Sequence, residues 1–364
     1  MGSRSIVLYD FLHTRGGAER VTVELARATP GMEMCFGYCN GEEFPQAELH
    51  GIRCHDLGTL GSVRGLRDMR TMRAFAGPAT RFIADYDWAL FSGAMAPLAV
   101  RHRSGMRNFY YCHTPPRFVY DLREHYLQQL APVMRPLLRS YIEHLKPRYE
   151  EALAAMDVVI ANSRNVRERL RRYLNLEARV IYPPVDTQRF AWREQGDYFV
   201  SLARHEELKR VDRLVKAFRS MPSQTLVVAS GGSQTGRLRQ LADGAANIHF
   251  TSWLSDDELA RLVGGARAAL YIPKDEDFGI SPVESMAAGK PVIGVAEGGL
   301  LETMVHGETG WLLPPDPGVE QVVEAVLRMD RQTAHAMRRP AEQRARLFTR
   351  ERFFEQMRRV VQPA

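Results

Sequence analysis

The chain has 364 residues, of which 45% are apolar and 25% charged, and a formal net charge of +6. That length exceeds one average domain, and the composition is that of a globular protein able to bury a core in each of two. No apolar run approaches the roughly 20 residues that span a bilayer. The start, Met1-Gly2-Ser3-Arg4, lacks the apolar core of a signal peptide, so the expectation is a cytoplasmic protein.

The charge is unevenly placed. Residues 1–182 carry 25 Lys and Arg against 19 Asp and Glu, while the remainder is near balance, so the positive excess belongs to the first half. Cys35, Cys39, Cys54 and Cys112 show no paired CxxC spacing and read as free thiols in a reducing compartment.

In chain order, residues 5–9 form a short apolar strand. His13-Thr14-Arg15-Gly16-Gly17-Ala18-Glu19-Arg20 follows and leads into the helical pattern Val21, Leu25, Ala26. Strand, glycine turn and helix open a doubly wound unit, whose helix N-terminus offers free N–H groups to an anion. Gly16 and Gly17 either admit a phosphate closely or make a plain tight turn. Further strands are expected at 34–38, 87–92, 108–112, 157–161 and 179–182, and their alternation with helical segments argues a parallel sheet covered on both faces.

The stretch from Arg64 to Ile83 stands apart. Leu66, Met69, Met72, Phe75, Ala79 and Phe82 recur at helical spacing while Arg64, Arg67, Arg70, Arg73 and Arg81 fill other positions, with a bend or break expected at Gly77-Pro78. Such a helix can lie on an anionic membrane surface, or it can simply cover a core with a solvated Arg-rich face. His113 follows the strand Tyr110-Tyr111-Cys112, where Pro115 and Pro116 keep the chain extended. It is either a satisfied structural histidine or, at a strand's carboxyl end, a site residue. Residues 130–156 read as a basic, aromatic helical region broken or bent at Pro132, Pro136 and Pro147.

Pro183-Pro184 forms a stiff connector, and the domain boundary is placed there. A second alternating series follows, with strands at 198–203, 225–229, 248–251, 268–272, 292–294 and 310–313. Arg204 and Lys209, after the first of these strands, are spaced to place two cations at one strand end, a pair suited to a diphosphate. Ser230-Gly231-Gly232-Ser233 and Glu297-Gly298-Gly299-Leu300 are further glycine turns, and Trp253-Leu254 follows another strand. Between the strand at 268–272 and a short helix stopped by Gly289 lies Asp275-Glu276-Asp277-Phe278-Gly279-Ile280, with Ser281-Pro282 as helix-start residues. Residues 321–361 read as largely helical with a break near Pro340.

Glu276-Asp277-Phe278-Gly279-Ile280-Ser281-Pro282-Val283-Glu284, then Ala287-Ala288-Gly289-Lys290-Pro291-Val292 and Gly298-Gly299-Leu300-Leu301-Glu302, closely resemble the retaining two-Rossmann (GT-B) nucleotide-sugar glycosyltransferases of family four. Gly16-Gly17-Ala18-Glu19 and the Arg204/Lys209 pair match that family too, so the resemblance covers nearly the whole chain. It implies an α/β fold of two Rossmann-like doubly wound parallel-sheet domains facing a central cleft. Residues 1–183 would bind the acceptor, 184–345 the nucleotide sugar, and 346–364 would form a helix crossing back to the first domain.

By the same resemblance, Glu276 would accept from hydroxyls of the donor sugar. The N–H groups of Phe278, Gly279 and Ile280 would hold that sugar and its phosphate, and Glu284 would take the ribose hydroxyls. Arg204 and Lys209 would clamp the diphosphate leaving group, with Gly16-Gly17 approaching from the other domain and Leu254 near the nucleobase. His113 matches a histidine beside the donor sugar. Glu276 and His113 are the catalytic candidates. No metal or other cofactor is implied, and Asp275-Glu276-Asp277 is not read as a DxD site. Cys112-His113-Thr114-Pro115-Pro116-Arg117 with Tyr120-Asp121 looks like bacterial polysaccharide and lipopolysaccharide mannosyltransferases, which use GDP-mannose. UDP- and dTDP-sugar donors are the rivals. The acceptor implied is a saccharide on a polyprenyl diphosphate at the inner membrane face, met through the 64–83 stretch. An epimerase or hydrolase of the same architecture, or a basic binding protein without enzymatic activity, are the other classes to weigh, although no nucleic-acid motif occurs.

Overall fold

The structure, a computed structural model, describes residues 3–361, with the side chain of Arg64 outside that description. Met1 and Gly2, part of the start expected to lack a signal peptide, lie outside the described residues. The chain divides into two compact units: Met1–Tyr182 with Phe353–Ala364, and Pro183–Arg352. Residues 346–352 thus fall in the second unit, and of the tail only Phe353–Ala364 belongs to the first.

Unit 1 contains β1 (Ser5–Tyr9), β2 (Glu33–Phe36), β3 (Cys54–Asp56), β4 (Trp88–Ser92), β5 (Arg107–Cys112), β6 (Val158–Ala161) and β7 (Arg179–Val180). They form one parallel sheet in the order β3-β2-β1-β4-β5-β6-β7. All five residues of β1 and all five of β4 are buried, as strands covered by helices on both faces require. Unit 2 contains β8 (Tyr198–Ser201), β9 (Thr225–Val228), β10 (Ile248–Phe250), β11 (Ala268–Leu270), β12 (Val292–Val295) and β13 (Gly310–Leu313). Their order, β10-β9-β8-β11-β12-β13, is again all parallel. In each sheet the strand order reverses beside the first strand, between β1 and β4 and between β8 and β11. Ligands of doubly wound sheets bind at the carboxyl ends of strands flanking such a reversal. The doubly wound, parallel α/β class read from the sequence is the one observed.

Three local expectations differ. β3 was not foreseen, because a three-residue edge strand carrying Cys, His and Asp has no apolar pattern to read. The break expected at Gly77-Pro78, by contrast, is the one observed: Arg64–Ala76 is a helix that Gly77 ends, and Pro78–Asp85 is a 3-10 turn. Pro147 does not break its helix, which runs Arg135–Ala154 around it, while Pro136 sits harmlessly in the first turn and Pro132 opens the 3-10 turn Pro132–Met134. In the tail, Pro340 lies in the first turn of helix Arg338–Ala345 and the interruption falls three residues earlier, at Met337.

The last helix, Arg350–Val361, buries Phe353, Met357 and Val361, one face at i, i+4 and i+8. Phe353 meets Tyr111 of β5 edge-on at 6.0 Å, and the Arg107 guanidinium donates to the Val361 carbonyl at 3.2 Å.

Candidate functional site

In unit 2, β8 is followed by a turn that ends in an unusual backbone. Arg210 adopts a left-handed conformation (φ 52°) directly before helix Val211–Arg219. Its guanidinium secures that turn, donating to the Pro315 carbonyl at 2.6 Å and pairing with Asp316 at 3.3 Å. Lys209, the residue before it, therefore has a fixed origin. Its ammonium donates to Glu276 at 2.5 Å and to the Tyr271 hydroxyl at 3.1 Å, while Tyr271 donates to the same Glu276 oxygen at 2.9 Å. Burial pulls the Lys209 ammonium down, but Glu276 and Tyr271 outweigh it and its pKa is raised. Burial, then Glu276, push the Tyr271 hydroxyl well above its usual value. The three form a hydrogen-bonded cluster in which the Lys209 ammonium keeps its proton at neutral pH.

The loop holding Glu276 is set by main chain rather than side chains. Gly298, at φ 60°, lies so close that a Cβ there would stand 2.4 Å from the Glu276 carbonyl oxygen. A Cβ on Gly299 would stand 2.4 Å from the Phe278 Cα, and the Gly299 N–H donates to the Glu276 carbonyl at 2.7 Å. The turn read as a third glycine motif is thus a buttress under the acidic loop. Gly279 (φ 89°) caps helix Ile280–Ala287, so the helix starts before Ser281-Pro282 and Ser281 is not its cap. Glu284 is buried within that helix at 4% exposure, and Gly289 (φ 66°) follows its end.

At the neighbouring strand ends, Arg204 is exposed and Leu254 half-buried. His205 is tied to the second glycine turn: its backbone N–H donates to the Gly231 carbonyl at 2.9 Å, and a Cβ on Gly232 would strike the His205 carbonyl at 2.7 Å. Trp253, 70% exposed, lies against Gly231, whose Cβ would meet the indole nitrogen at 3.1 Å. The second glycine turn is therefore flanked by an aromatic face open to solvent.

In unit 1, Gly16 precedes helix Gly17–Ala28 with an ordinary extended backbone (φ −81°), and the Glu19 carboxylate lies over it. Across the strand reversal, the Asp10 carboxylate after β1 accepts from the N–H groups of Ala94, Met95 and Ala96 after β4, at 2.7, 2.8 and 2.7 Å. His113, after β5, contacts Tyr9 and Tyr111 edge-on, with ring centroids 5.9 and 5.3 Å apart. Its Nε2 lies 3.1 Å from Thr22 Oγ1, and burial pushes the imidazole down to about 3.

Within each unit the predicted residues thus share the carboxyl edge. In unit 2 the structure joins Lys209 to Glu276 directly and leaves Arg204 and Leu254 at adjoining strand ends. Sequence reasoning missed Tyr271, which hid inside an apolar run, and Thr22 and Asp10, single polar residues inside or just after regular elements. Among the described residues no group of three His, Cys, Asp or Glu is placed to hold a metal ion. A cavity of about 840 Å³ in unit 1, lined in part by Arg101, Arg107, Arg148 and Asp157, opens at the amino ends of β5 and β6, away from these residues.

Two doubly wound parallel sheets with acids, cations and glycine turns at their carboxyl edges are the architecture of a GT-B glycosyltransferase. Residues 15–189 match Glycosyltransferase Family 4 and residues 184–346 match Glycosyl transferases group 1, and the chain belongs to this glycosyltransferase family. It is 26% identical to the alpha-1,3/1,6-mannosyltransferase ALG2 of Homo sapiens over 96% of this chain and 94% of that protein. It is 26% identical to ALG2 of Dictyostelium discoideum over 57% of this chain, spanning only 58% of that relative's length. Among solved structures, Anabaena Alr3699/HepE in complex with UDP and glucose has a TM-score of 0.76, 16% identity and 99% coverage of both chains.

Proposed function

We propose that the protein transfers mannose from GDP-mannose, with retention of anomeric configuration, onto a lipid-linked oligosaccharide of the kind assembled in bacterial polysaccharide or lipopolysaccharide synthesis. The observation that carries this reading is the Lys209–Tyr271–Glu276 cluster at the β8/β11 reversal, set on a loop fixed by glycine main chain. Family membership supports the reaction class, and the similarity to mannosyltransferases favours mannose as the sugar.

In this reading the donor exchanges partners within the cluster. The diphosphate takes Lys209, joined by Arg204, and the sugar hydroxyls take Glu276, whose carboxylate is acceptor-only when ionised. The N–H groups of Phe278, Gly279 and Ile280 hold the sugar and phosphate at the start of helix Ile280–Ala287, and Glu284 takes the ribose hydroxyls. Leu254 borders the nucleobase, and Gly16, Gly17 and His113 are the donor residues assigned to the first unit. As the glycosidic bond breaks, the departing phosphate oxygen takes the acceptor's proton on the same face, and the two cations stabilise the charge growing on it. No metal is required for that step.

The acceptor would be met at a membrane surface, with the protein peripheral on its inner face. No helix among the described residues is long and apolar enough to cross a membrane. Of the 64–83 stretch, Met72, Phe75 and Ile83 are core residues, whereas Leu66 and Met69 are exposed beside Arg70 and Arg73. Val133, Met134 and Leu137, exposed near Arg139 at the start of helix Arg135–Ala154, add a second apolar and basic segment.

A UDP-sugar donor is the second reading, favoured by the structural neighbour that holds UDP and glucose. A thermal-shift panel of GDP, UDP and dTDP with their sugars decides between them, since the true donor raises stability by mass action. Stabilisation by GDP-mannose over UDP-glucose is expected. A shift with UDP-sugars alone would overturn the donor, and full transfer by Glu276→Ala would overturn the site.

A further inference from the structure

Thr22 and His113 meet through a hydrogen bond whose direction fixes the histidine tautomer. Thr22 is fully buried on the second turn of helix Gly17–Ala28, with Oγ1 2.9 Å from the Ala18 carbonyl oxygen and 3.1 Å from His113 Nε2. A hydroxyl has one proton, and a carbonyl oxygen can only accept. With both contacts made as hydrogen bonds, the Thr22 proton goes to Ala18. Its oxygen is left to accept from His113, which places a proton on Nε2.

The rest of the ring follows. Because burial pushes the imidazole down to about 3, it carries a single proton at neutral pH, and Nδ1 keeps its lone pair. The described residues offer Nδ1 no hydrogen bond. Tyr9 and Tyr111 pack edge-on against the ring, and the Asn162 amide donates to the His113 carbonyl at 2.8 Å, so the side chain has a fixed base and fixed walls.

We propose that Thr22 is a positioning residue that holds His113 as its Nε2–H tautomer, so that Nδ1 is offered as a hydrogen-bond acceptor to a hydroxyl of the transferred sugar. This rests on the sugar-transfer reading above and deepens it. A preset acceptor selects a hexose bearing that hydroxyl over a deoxy analogue, which would leave a desolvated nitrogen unpaired. In the opposite tautomer the same nitrogen would be a donor, and the contact would depend on the sugar oxygen accepting instead.

The test is read first without any sugar nucleotide. Ring ¹⁵N–¹H correlation spectra of the full chain with labelled histidine, assigned by loss of one spin system in His113→Gln, should show Nε2 protonated and Nδ1 bare from about pH 6 to pH 9. Thr22→Val keeps the shape but removes the acceptor, and should populate the Nδ1–H form. Thr22→Ser keeps the hydroxyl and should leave the spectrum unchanged. With the donor found by the thermal-shift panel, kcat/KM should fall at least ~10-fold in Thr22→Val and stay within ~3-fold in Thr22→Ser. A proton on Nδ1 in the unmutated chain, an unaltered tautomer in Thr22→Val, or equal losses in the two variants would overturn the inference. The spectra do not depend on the donor, so a wrong tautomer sinks this inference alone. A chain inactive with every sugar nucleotide sinks the transfer reading, and with it the ligand assigned to Nδ1.

Discussion

Gly298→Ala probes the buttress under the acidic loop. The new Cβ would lie 2.4 Å from the Glu276 carbonyl oxygen and 2.9 Å from its nitrogen. An unstrained carbon contact needs roughly 3.5 Å, so the loop must retreat by about 1 Å. The backbone at φ 60° adds the left-handed penalty of an L side chain, about 1–2 kcal/mol. Together with the overpacking, the expected loss of stability is about 2–4 kcal/mol. A displacement of that size at the group proposed to position the sugar predicts a fall in kcat/KM of about 100-fold. Gly307→Ala is the control: it has φ 83° but nothing within 4 Å of its Cβ, so it carries the backbone penalty alone. Urea unfolding gives the stabilities, and release of nucleoside diphosphate from the sugar nucleotide gives the rates. Gly298→Ala with turnover within about twofold of the control would refute the claim that this main-chain contact sets the loop.

Three further outcomes follow from particular residues. Lys290 is fully buried, donates to the Glu194 carbonyl and lies over Trp192; burial, then Arg338, lower it to about 8 from 10.5. Between those values the unfolded chain holds the proton that the folded chain has lost, so stability rises with pH by up to about 3 kcal/mol. Urea unfolding at pH 7 and pH 10 should show Lys290→Met lacking that rise, and an identical pH dependence in both proteins would refute it. Asp10→Ala orphans three N–H groups, two of them buried, and should cost about 2–5 kcal/mol by the same measurement, with Asp10→Asn losing less; a loss under about 1 kcal/mol would contradict the capping role. Arg70→Glu with Arg73→Glu should weaken binding to anionic vesicles about 30-fold or more while nucleotide binding persists. Arg67 is unsuited to that test, because it is half-buried beside Asp68 and over the Tyr38 ring. Unchanged vesicle sedimentation would remove the membrane from the reading.

What could be read in the sequence was carried by residues whose chemistry is exceptional for their place. Glu276 and Glu284 stood out because acids rarely follow a buried strand, and glycines at 279, 289 and 298 mark backbones that other residues resist. Lys209 could be proposed as a cation at a strand end, but not as the partner of Glu276, since that pairing depends on the left-handed turn at Arg210. Tyr271 was invisible because its ring is apolar and only its hydroxyl matters, at the point where β11 has just ended. Thr22 looked like any helix residue, and its contact with His113 is visible only once β5 brings that ring alongside. The 64–83 stretch was legible in composition but not in exposure, since helical spacing cannot tell which apolar residues the 3-10 turn after Gly77 will bury.

The last helix carries a consequence for how the chain is made. Unit 2 is continuous over Pro183–Arg352, whereas unit 1 includes Phe353–Ala364, so its sequence is interrupted by the whole of the other unit. During vectorial synthesis the face of β5 that receives Phe353 must wait while some 170 residues are added, on the order of 10 to 30 s at ordinary translation rates. Unit 2 can close as soon as its own strands have emerged. The nascent first unit spends that interval with Tyr111 and its neighbours uncovered, and it is there that a chaperone would find its substrate.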